Sequence, residues 1–468
     1  MRSPFALGEG TVFDRAFRRA VRAKSDILPR DGCASPCRRG WRSGGGLPYG
    51  AVHAVFPTPQ CPSVPTLRDA GGAAMSRDAG GDRALSPTTR IGLTLIAGGA
   101  VANIYYNQPL LAVLVAEFGE RAALLVPTAS LVGYGLGILF LVPLGDALPR
   151  RDLIVWQLMG LAVALVVAAL SPNLAVLAGA SLVIGVLACA AQQAVPFAAE
   201  LAPDASRGRI VGGVMTGLLS GILLARTASG FVGAQFGWRA VFLAAAGLAV
   251  AMAGVAWRTL PRSAPKQRLR YRALMISLLH LVRSQPILRN ASLSQALLFA
   301  SFNAFWATLA LLVEAPPFDL TAAGAGLFGV IGVAGALIAP YSGRYSDRRG
   351  ARPVVIVGSV LVAAAFAVLA LAGEVSLLAI AAGVLLLDIG INGALIANQT
   401  RAYALAPGAR GRINTVLFTA VFIGGAAGAF LGSRAFLLAG WPGVCAVGGA
   451  FALAALAVSW LGGRTQPT

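Results

Sequence analysis

Between residues 90 and 461 the chain alternates long apolar runs with short polar breaks. Twelve runs are read as helices crossing a bilayer, each needing roughly 20 apolar residues. Their approximate bounds are 90–114, 124–145, 152–171, 173–196, 209–233, 238–257, 291–313, 322–343, 353–372, 375–398, 412–436 and 441–461. Numbered in order, they are spans 1 to 12. One stretch occurs twice. Ser206-Arg207-Gly208-Arg209-Ile210 opens a run that closes at Phe236-Gly237-Trp238, and Ala409-Arg410-Gly411-Arg412-Ile413 opens one that closes at Ala439-Gly440-Trp441. The spacings 207 to 410, 210 to 413 and 238 to 441 are each 203 residues. A repeat of that length, apolar in both copies, predicts a duplicated six-helix bundle. The expected fold is an all-α membrane protein with two pseudo-symmetric halves, 90–258 and 291–463.

Composition supports a bilayer as solvent. The chain is 57% hydrophobic and 12% charged, with a mean hydropathy of +0.74. The net charge of +20 would suit nucleic acid if it were spread over one surface, but it is not. When the loops are assigned to alternating sides, nineteen Lys and Arg fall on one side and three (Arg121, Arg239 and Arg434) on the other. The positive-inside rule then places both termini in the cytoplasm and excludes a nucleic-acid partner. The five cysteines form no disulfide framework or standard metal spacing. Both histidines, His53 and His280, lie outside the spans, and no nucleophile–base cluster suggests an enzyme. Neither cofactor nor metal is expected.

Three segments differ from the bundles. Residues 1–74 are rich in Arg, Gly and Pro and contain no apolar h-region. They read as a disordered leader, with Met75 as an alternative start. Residues 75–89 form a short polar tail. Residues 259–290 form a basic linker in which Leu274, Leu278, Leu281 and Val282 recur at helical spacing over Leu269 to Val282. This segment is expected to be a surface helix held on anionic headgroups by Arg268, Arg272 and Arg283.

Two loops carry a related motif. Pro143-Leu144-Gly145-Asp146-Ala147-Leu148-Pro149-Arg150-Arg151 stands between spans 2 and 3. Gly343-Arg344-Tyr345-Ser346-Asp347-Arg348-Arg349-Gly350-Ala351-Arg352 stands between spans 8 and 9. The second closely resembles the major facilitator superfamily signature G-x-x-x-D-R-x-G-x-R. The first fits it more loosely, with Val142, Ala147 and Pro149 in place of the leading Gly, the Arg and the turn Gly. With twelve runs and a six-plus-six repeat, the chain resembles that family over about 90–461. The resemblance implies that Asp146 with Arg150 and Arg151, and Asp347 with Arg348, form conformational latches on the cytoplasmic side. The first latch is implied to act against the start of span 11, where Arg412 lies. The residue-level alternative is that these charges only set topology and turn geometry.

Charge deep inside a membrane costs at least about 2.5–3.5 kcal/mol and marks function by default. Two residues qualify, Arg226 in span 5 and Asp388 near the middle of span 10. Asp388 is expected to couple protons, or else to serve as a fixed partner for Arg226. Arg226 either pairs with it or receives an anionic substrate. Amides and aromatics on the spans expected to face the centre are Asn103, Tyr106, Asn107 and Gln108 in span 1, Gln192 and Gln193 in span 4, Asn303 and Trp306 in span 7, and Asn392 in span 10. They are expected to line a substrate cavity, though several could simply glue helices together.

Within the family the chain most resembles the drug/proton antiporter, sugar-efflux-like branch. That resemblance implies a monomeric secondary transporter working by alternating access, with a small amphipathic molecule or sugar, protons and lipid as its partners. Departures stand beside it. Span 5 keeps glycines at 213, 217 and 221 but lacks the branch's Gly-Pro. Ser181 stands where an Arg is usual in span 4, and span 1 has no acid. Coupling would therefore fall to Asp388 or to Glu200 at the end of span 4. Uptake of a metabolite and a sensor built on a transporter fold remain alternatives.

Overall fold

A computed structural model describes residues 86–203, 206–262, 271–336, 339–406 and 409–462. The leader, the tail up to residue 85, and Arg268 lie outside the described residues. Every regular element among those described is a helix.

Hydrophobic periodicity located the spans well. Span 2 runs Arg121–Phe140, span 3 Arg150–Ala169, span 5 Arg207–Phe236, span 6 Trp238–Thr259, span 9 Ala351–Ala372 and span 10 Leu377–Tyr403. Three spans are broken among the described residues. Span 1 is Pro87–Ala102 and Leu111–Phe118, and span 4 is Leu174–Ala188 and Ala190–Leu201. Span 7 is Pro286–Trp306 and Leu309–Val313. Span 8 is described over Ala322–Ala336 and Ala339–Arg349, with residues 337 and 338 outside the described residues. Spans 11 and 12 lie in one helical stretch, Arg410–Leu461, interrupted by non-helical backbone at Ala439 and Gly440. In hydrocarbon an unpaired peptide group costs several kcal/mol, so breaks survive only where protein or a cavity lines them.

The duplication is visible in backbone geometry. Gly237 and Gly440, 203 residues apart, both adopt positive φ (82° and 62°), a region a Cβ disfavours. Each turns the chain into a buried tryptophan, Trp238 or Trp441. The helix seams repeat as well. Gly221 of span 5 lies against the backbone of Gly98 in span 1, and Gly424 and Gly428 of span 11 lie against Ala296 and Ala300 in span 7. With no hydrophobic drive between helices in lipid, such close approach supplies dispersion contact instead. Gly213 meets nothing, so the stripe read from sequence contributes only its later members.

One core cluster draws mainly on spans 1–6 and a second on spans 7–12. Span 11 crosses between them, since Val421, Phe422, Ala426 and Ala429 belong to the first cluster. Spans 5 and 8 also meet. Thr227 Oγ1 donates to Gly326 O at 3.4 Å, and a Cβ on Gly326 would lie 2.7 Å from Arg226 O.

The linker helix, Tyr271–Ser284, is placed differently from expectation. Leu274 and Leu278 are buried against the bundle rather than in headgroups, and Tyr271 Oη donates to Phe140 O at 3.0 Å. Bundle contacts hold this face, and a second face carries exposed Arg272, Ile276, Leu279 and Arg283.

Candidate functional site

A cavity of about 850 Å³ lies between the halves. Its mouth lies at the end bearing the linker, where Asp146 and Arg150 face Arg410 and Arg412 and Leu278 closes one side. Its blind end reaches Arg226 and Asp388. Among the described residues, no loop from the opposite end lines it.

Two helix breaks build the blind end. Span 1 stops at Ala102 and runs as turns to Leu110; span 7 stops at Trp306. The caps Asn103 and Ala307 stand 204 residues apart (103 to 307), within one residue of the repeat. Paired interruptions at matching positions of two halves are a known pointer to a transport site. The first break turns Tyr105 and Gln108 toward span 5. Arg226 Nε donates to Gln108 Oε1 at 2.8 Å, and its guanidinium lies 3.9 Å from the Trp306 ring centroid, 5.0 Å from Tyr105 and 5.7 Å from Phe302. Arg226 is 5% exposed, and its Nη2 has no hydrogen-bond partner. Asp388, 7% exposed, leaves Oδ2 unpartnered and lies close to Gly332 of span 8. Among the described residues no contact ion pair joins it to Arg226, although the two attract each other electrostatically across the cavity.

An aromatic wall continues from this point. Phe302 lies 5.9 Å from Trp306 and 5.5 Å from Phe299, Phe299 lies 5.2 Å from Phe422, and Phe422 lies 4.4 Å from Tyr134 (centroid distances). Gln192 and Asn392 add amides to the wall. Gln192 Nε2 donates to Tyr134 Oη at 3.3 Å, and Asn392 Nδ2 to the Asp388 carbonyl at 2.9 Å.

Arg226, Asp388, Gln192, Gln193 and Asn392 line the cavity, though Gln193 is fully buried and donates its amide to Leu141 O at 2.8 Å. Several other residues expected there do not. Asn103 Nδ2 bonds to Gly99 O at 2.8 Å and caps its own broken helix. Asn107 Nδ2 donates to Ser130 Oγ at 2.9 Å and ties span 1 to span 2. Asn303 Nδ2 folds back to Phe299 O at 2.9 Å. Tyr106 is buried away from the cavity, because the break at 103 rotates Tyr105 inward in its place. Gln108 and Trp306 act through Arg226, holding its edge and its face. Sequence reasoning missed Tyr105, Phe299, Phe302, Phe422 and Tyr134. One signal was available: Gln295, Phe299, Phe302 and Trp306 recur on one helical face, though such a stripe usually means core.

The motif loops are partly as expected. Asp146 Oδ1 accepts from Arg150 Nη2 at 2.7 Å, and Arg150 Nε also bonds to Gly145 O at 3.1 Å. Glu200 lies 3.5 Å from the same Arg150 nitrogen and is not among the residues lining the cavity, so the structure places it in the motif cluster. Arg151 leaves the latch and stacks 4.4 Å above Trp257. Arg412 and Asp146 both line the cavity, and no ion pair joins them among the described residues. Arg348 is exposed, and the Asp347 side chain lies outside the described residues. The second loop turns at Gly350, φ 84°, where the first uses Pro149.

The profile of the Major Facilitator Superfamily matches residues 93–429 and 291–468. The chain belongs to this superfamily. It is 39% identical over 384 residues to "Uncharacterized transporter YgaY" of Escherichia coli O157:H7, covering 82% of this chain and 97% of that protein. It is 35% identical over 415 residues to "Probable transporter SCO4007" of Streptomyces coelicolor, covering 87% and 95%. Superfamily transporters share its fold. A bacterial homolog of the human lysosomal transporter Spinster, solved inward-facing and occupied, superposes with TM-score 0.64 at 17% identity over 82% of this chain and 98% of its own. The nucleoside transporter NupG gives 0.63 at 12% identity over 80% and 99%. The chain is a multi-pass membrane transporter, and transporter homologues imply a small-molecule substrate.

Proposed function

We propose that this superfamily member is a proton-coupled secondary transporter of the inner membrane that exports a small amphipathic molecule by alternating access. One observation carries the reading: the cavity is shared by both halves, opens at one end, and ends at two buried charged side chains that lack a full set of partners. Intramembrane charge is costly enough to need a use. The excess of Arg and Lys in loops at the open end supports a cytoplasmic placing of that end and of both termini. On that placing the structure is the inward-facing state. Its halves are residues 90–258 and 291–463, joined by the linker 259–290. Asp388 takes and releases the coupled proton. The Asp146–Arg150 pair is the cytoplasmic latch in its open form, to be drawn toward Arg412 at the start of span 11 when the halves close. A carboxylate near a helix N-terminus gains about 0.3–1 kcal/mol from the dipole, more when buried. One chain builds the whole cavity, which suits a monomer.

Uptake is a second reading, favoured by the pair itself. Arg226 and Asp388 can hold an anion and a proton together, and two ligands held together travel in the same direction. Inside-out vesicles with an imposed pH gradient and a fluorescent pH probe, challenged with a panel of drugs, sugars and organic acids, separate the readings. Proton release on substrate addition, lost in Asp388→Asn, supports export by antiport. Proton movement with the substrate supports uptake. Substrate flux indifferent to the gradient and to Asp388→Asn would end the coupling claim.

A further inference from the structure

Arg226 is a permanent cation, since a guanidinium does not deprotonate in proteins. Asp388 can become neutral by taking a proton. The two buried charges therefore make unequal demands, and it is Arg226 that needs a counter-ion at every stage of a transport cycle. The protein around it supplies no contact partner of opposite charge: Asp388 lines the same cavity and attracts Arg226 electrostatically, but no ion pair joins them among the described residues. Its nearest partners are the faces of Trp306, Tyr105 and Phe302 and the neutral amide of Gln108. Aromatic faces steady a guanidinium through the ring quadrupole but accept none of its in-plane N–H bonds. Nη2 accordingly has no acceptor, although the side chain is 5% exposed and lies on the cavity wall. Asp388 is the one carboxylate among the described residues with an electrostatic effect on Arg226, and it is neutralised whenever it holds a proton. Span 8 carries no ionisable residue over Ala322–Ala336, and Arg289 and Arg352 sit at the starts of spans 7 and 9.

We infer that the blind end of the cavity is an anion receptor, and that the transported molecule is an amphipathic organic monoanion. Its acidic group lies against Arg226, and its apolar or aromatic body lies along Phe302, Phe299, Phe422 and Tyr134. A single charge follows from a single guanidinium, because the Asp388 carboxylate shares the cavity and repels a second negative group. An apolar body follows from the continuous ring-to-ring wall leading away from Arg226. The inference rests on reading the cavity as the transport site and is independent of coupling and direction.

The test measures the sign of the field at Arg226. In the full-length chain with Cys33, Cys37, Cys61, Cys189 and Cys445 replaced by alanine, Ile222→Cys places a thiol on the cavity wall one turn before Arg226. Its labelling rates with 2-sulfonatoethyl and 2-(trimethylammonium)ethyl methanethiosulfonate are each normalised to the reagent's rate with 2-mercaptoethanol. The anionic reagent is expected to be favoured by at least about tenfold, the lower range of what a charged, low-dielectric cleft achieves. Arg226→Gln should abolish the preference and Arg226→Lys should keep it. If the Gln variant does not fold, the Lys variant and the parent still decide the sign. Preference for the cationic reagent, equal rates, or no labelling by either would overturn the inference. The vesicle experiment can fail while the anion preference holds, in which case the proton coupling falls and the receptor stands.

Discussion

Arg226 of span 5 lies with its guanidinium 3.9 Å from the ring centroid of Trp306, which belongs to the other half of the chain. The contact joins the halves at the blind end of the cavity, where both helix breaks converge. A desolvated cation–π contact is worth about 2 kcal/mol or more. Trp306→Ala should lower thermal stability, since truncating a buried Trp costs about 3–5 kcal/mol, and should also abolish transport. Trp306→Phe keeps a ring face and should retain part of both. Thermal unfolding and substrate flux, read on the same preparations, check this. Equal flux in all three proteins would separate the stack from transport.

Asp388→Asn removes a proton acceptor at nearly constant shape. Folding and substrate binding should survive, and the response of transport to a pH gradient should disappear. Flux at several fixed gradients in wild type and variant is the measurement, and a preserved gradient dependence would remove Asp388 from the mechanism.

The far ends of spans 5 and 8 meet through glycine. A side chain at position 326 would collide with the Arg226 carbonyl, 2.7 Å from the new Cβ. Gly326→Val should therefore part these spans and shift the population toward the conformation open at the far end. Single-cysteine accessibility at the two ends reads the shift. Gly221→Val collides instead within the first half, against Gly98, and should cost stability, about 1–3 kcal/mol for overpacking, without moving the balance.

Asp146→Asn leaves Arg150 without its 2.7 Å partner and removes the carboxylate that closure would bring to span 11. The closed form should lose about 1 kcal/mol, so cysteines at the linker end should become more accessible. An unchanged distribution would reduce Asp146 to a turn element.

Glu314 lies just past the last helical residue of span 7, with Oε1 buried and unpartnered. Burial pushes its carboxyl up to about 7. The folded state then holds a proton that the unfolded state has released above its ordinary range, so this group makes stability fall as pH rises from about 4.5 to about 7. Glu314→Gln should remove that slope and be more stable than wild type at pH 8, by on the order of 2 kcal/mol after discounting for partial exposure. Unfolding midpoints across the pH range check the sign.

The sequence by itself determined the spans, the duplication and the family. Each follows from local chemistry: apolar length must match the bilayer, and the Gly-Trp turns at 237 and 440 carry their own backbone requirement. It also singled out Arg226 and Asp388, because charge inside a membrane stands out against its apolar surroundings. Tertiary structure alone decided which neighbours face the cavity. Eight irregular residues after Ala102 change the facing of everything beyond them, so Tyr105 takes the place expected for Tyr106, and Asn107 turns to Ser130. Whether an amide lines a cavity or ties two helices together depends on what lies opposite it. For Asn103, Asn107 and Asn303 that was a backbone carbonyl or a hydroxyl of the packed bundle. The aromatic wall was hidden for the same reason. Phe299, Phe302 and Trp306 follow ordinary core spacing, and their role exists only because span 11 brings Phe422, and span 5 brings Arg226, against them.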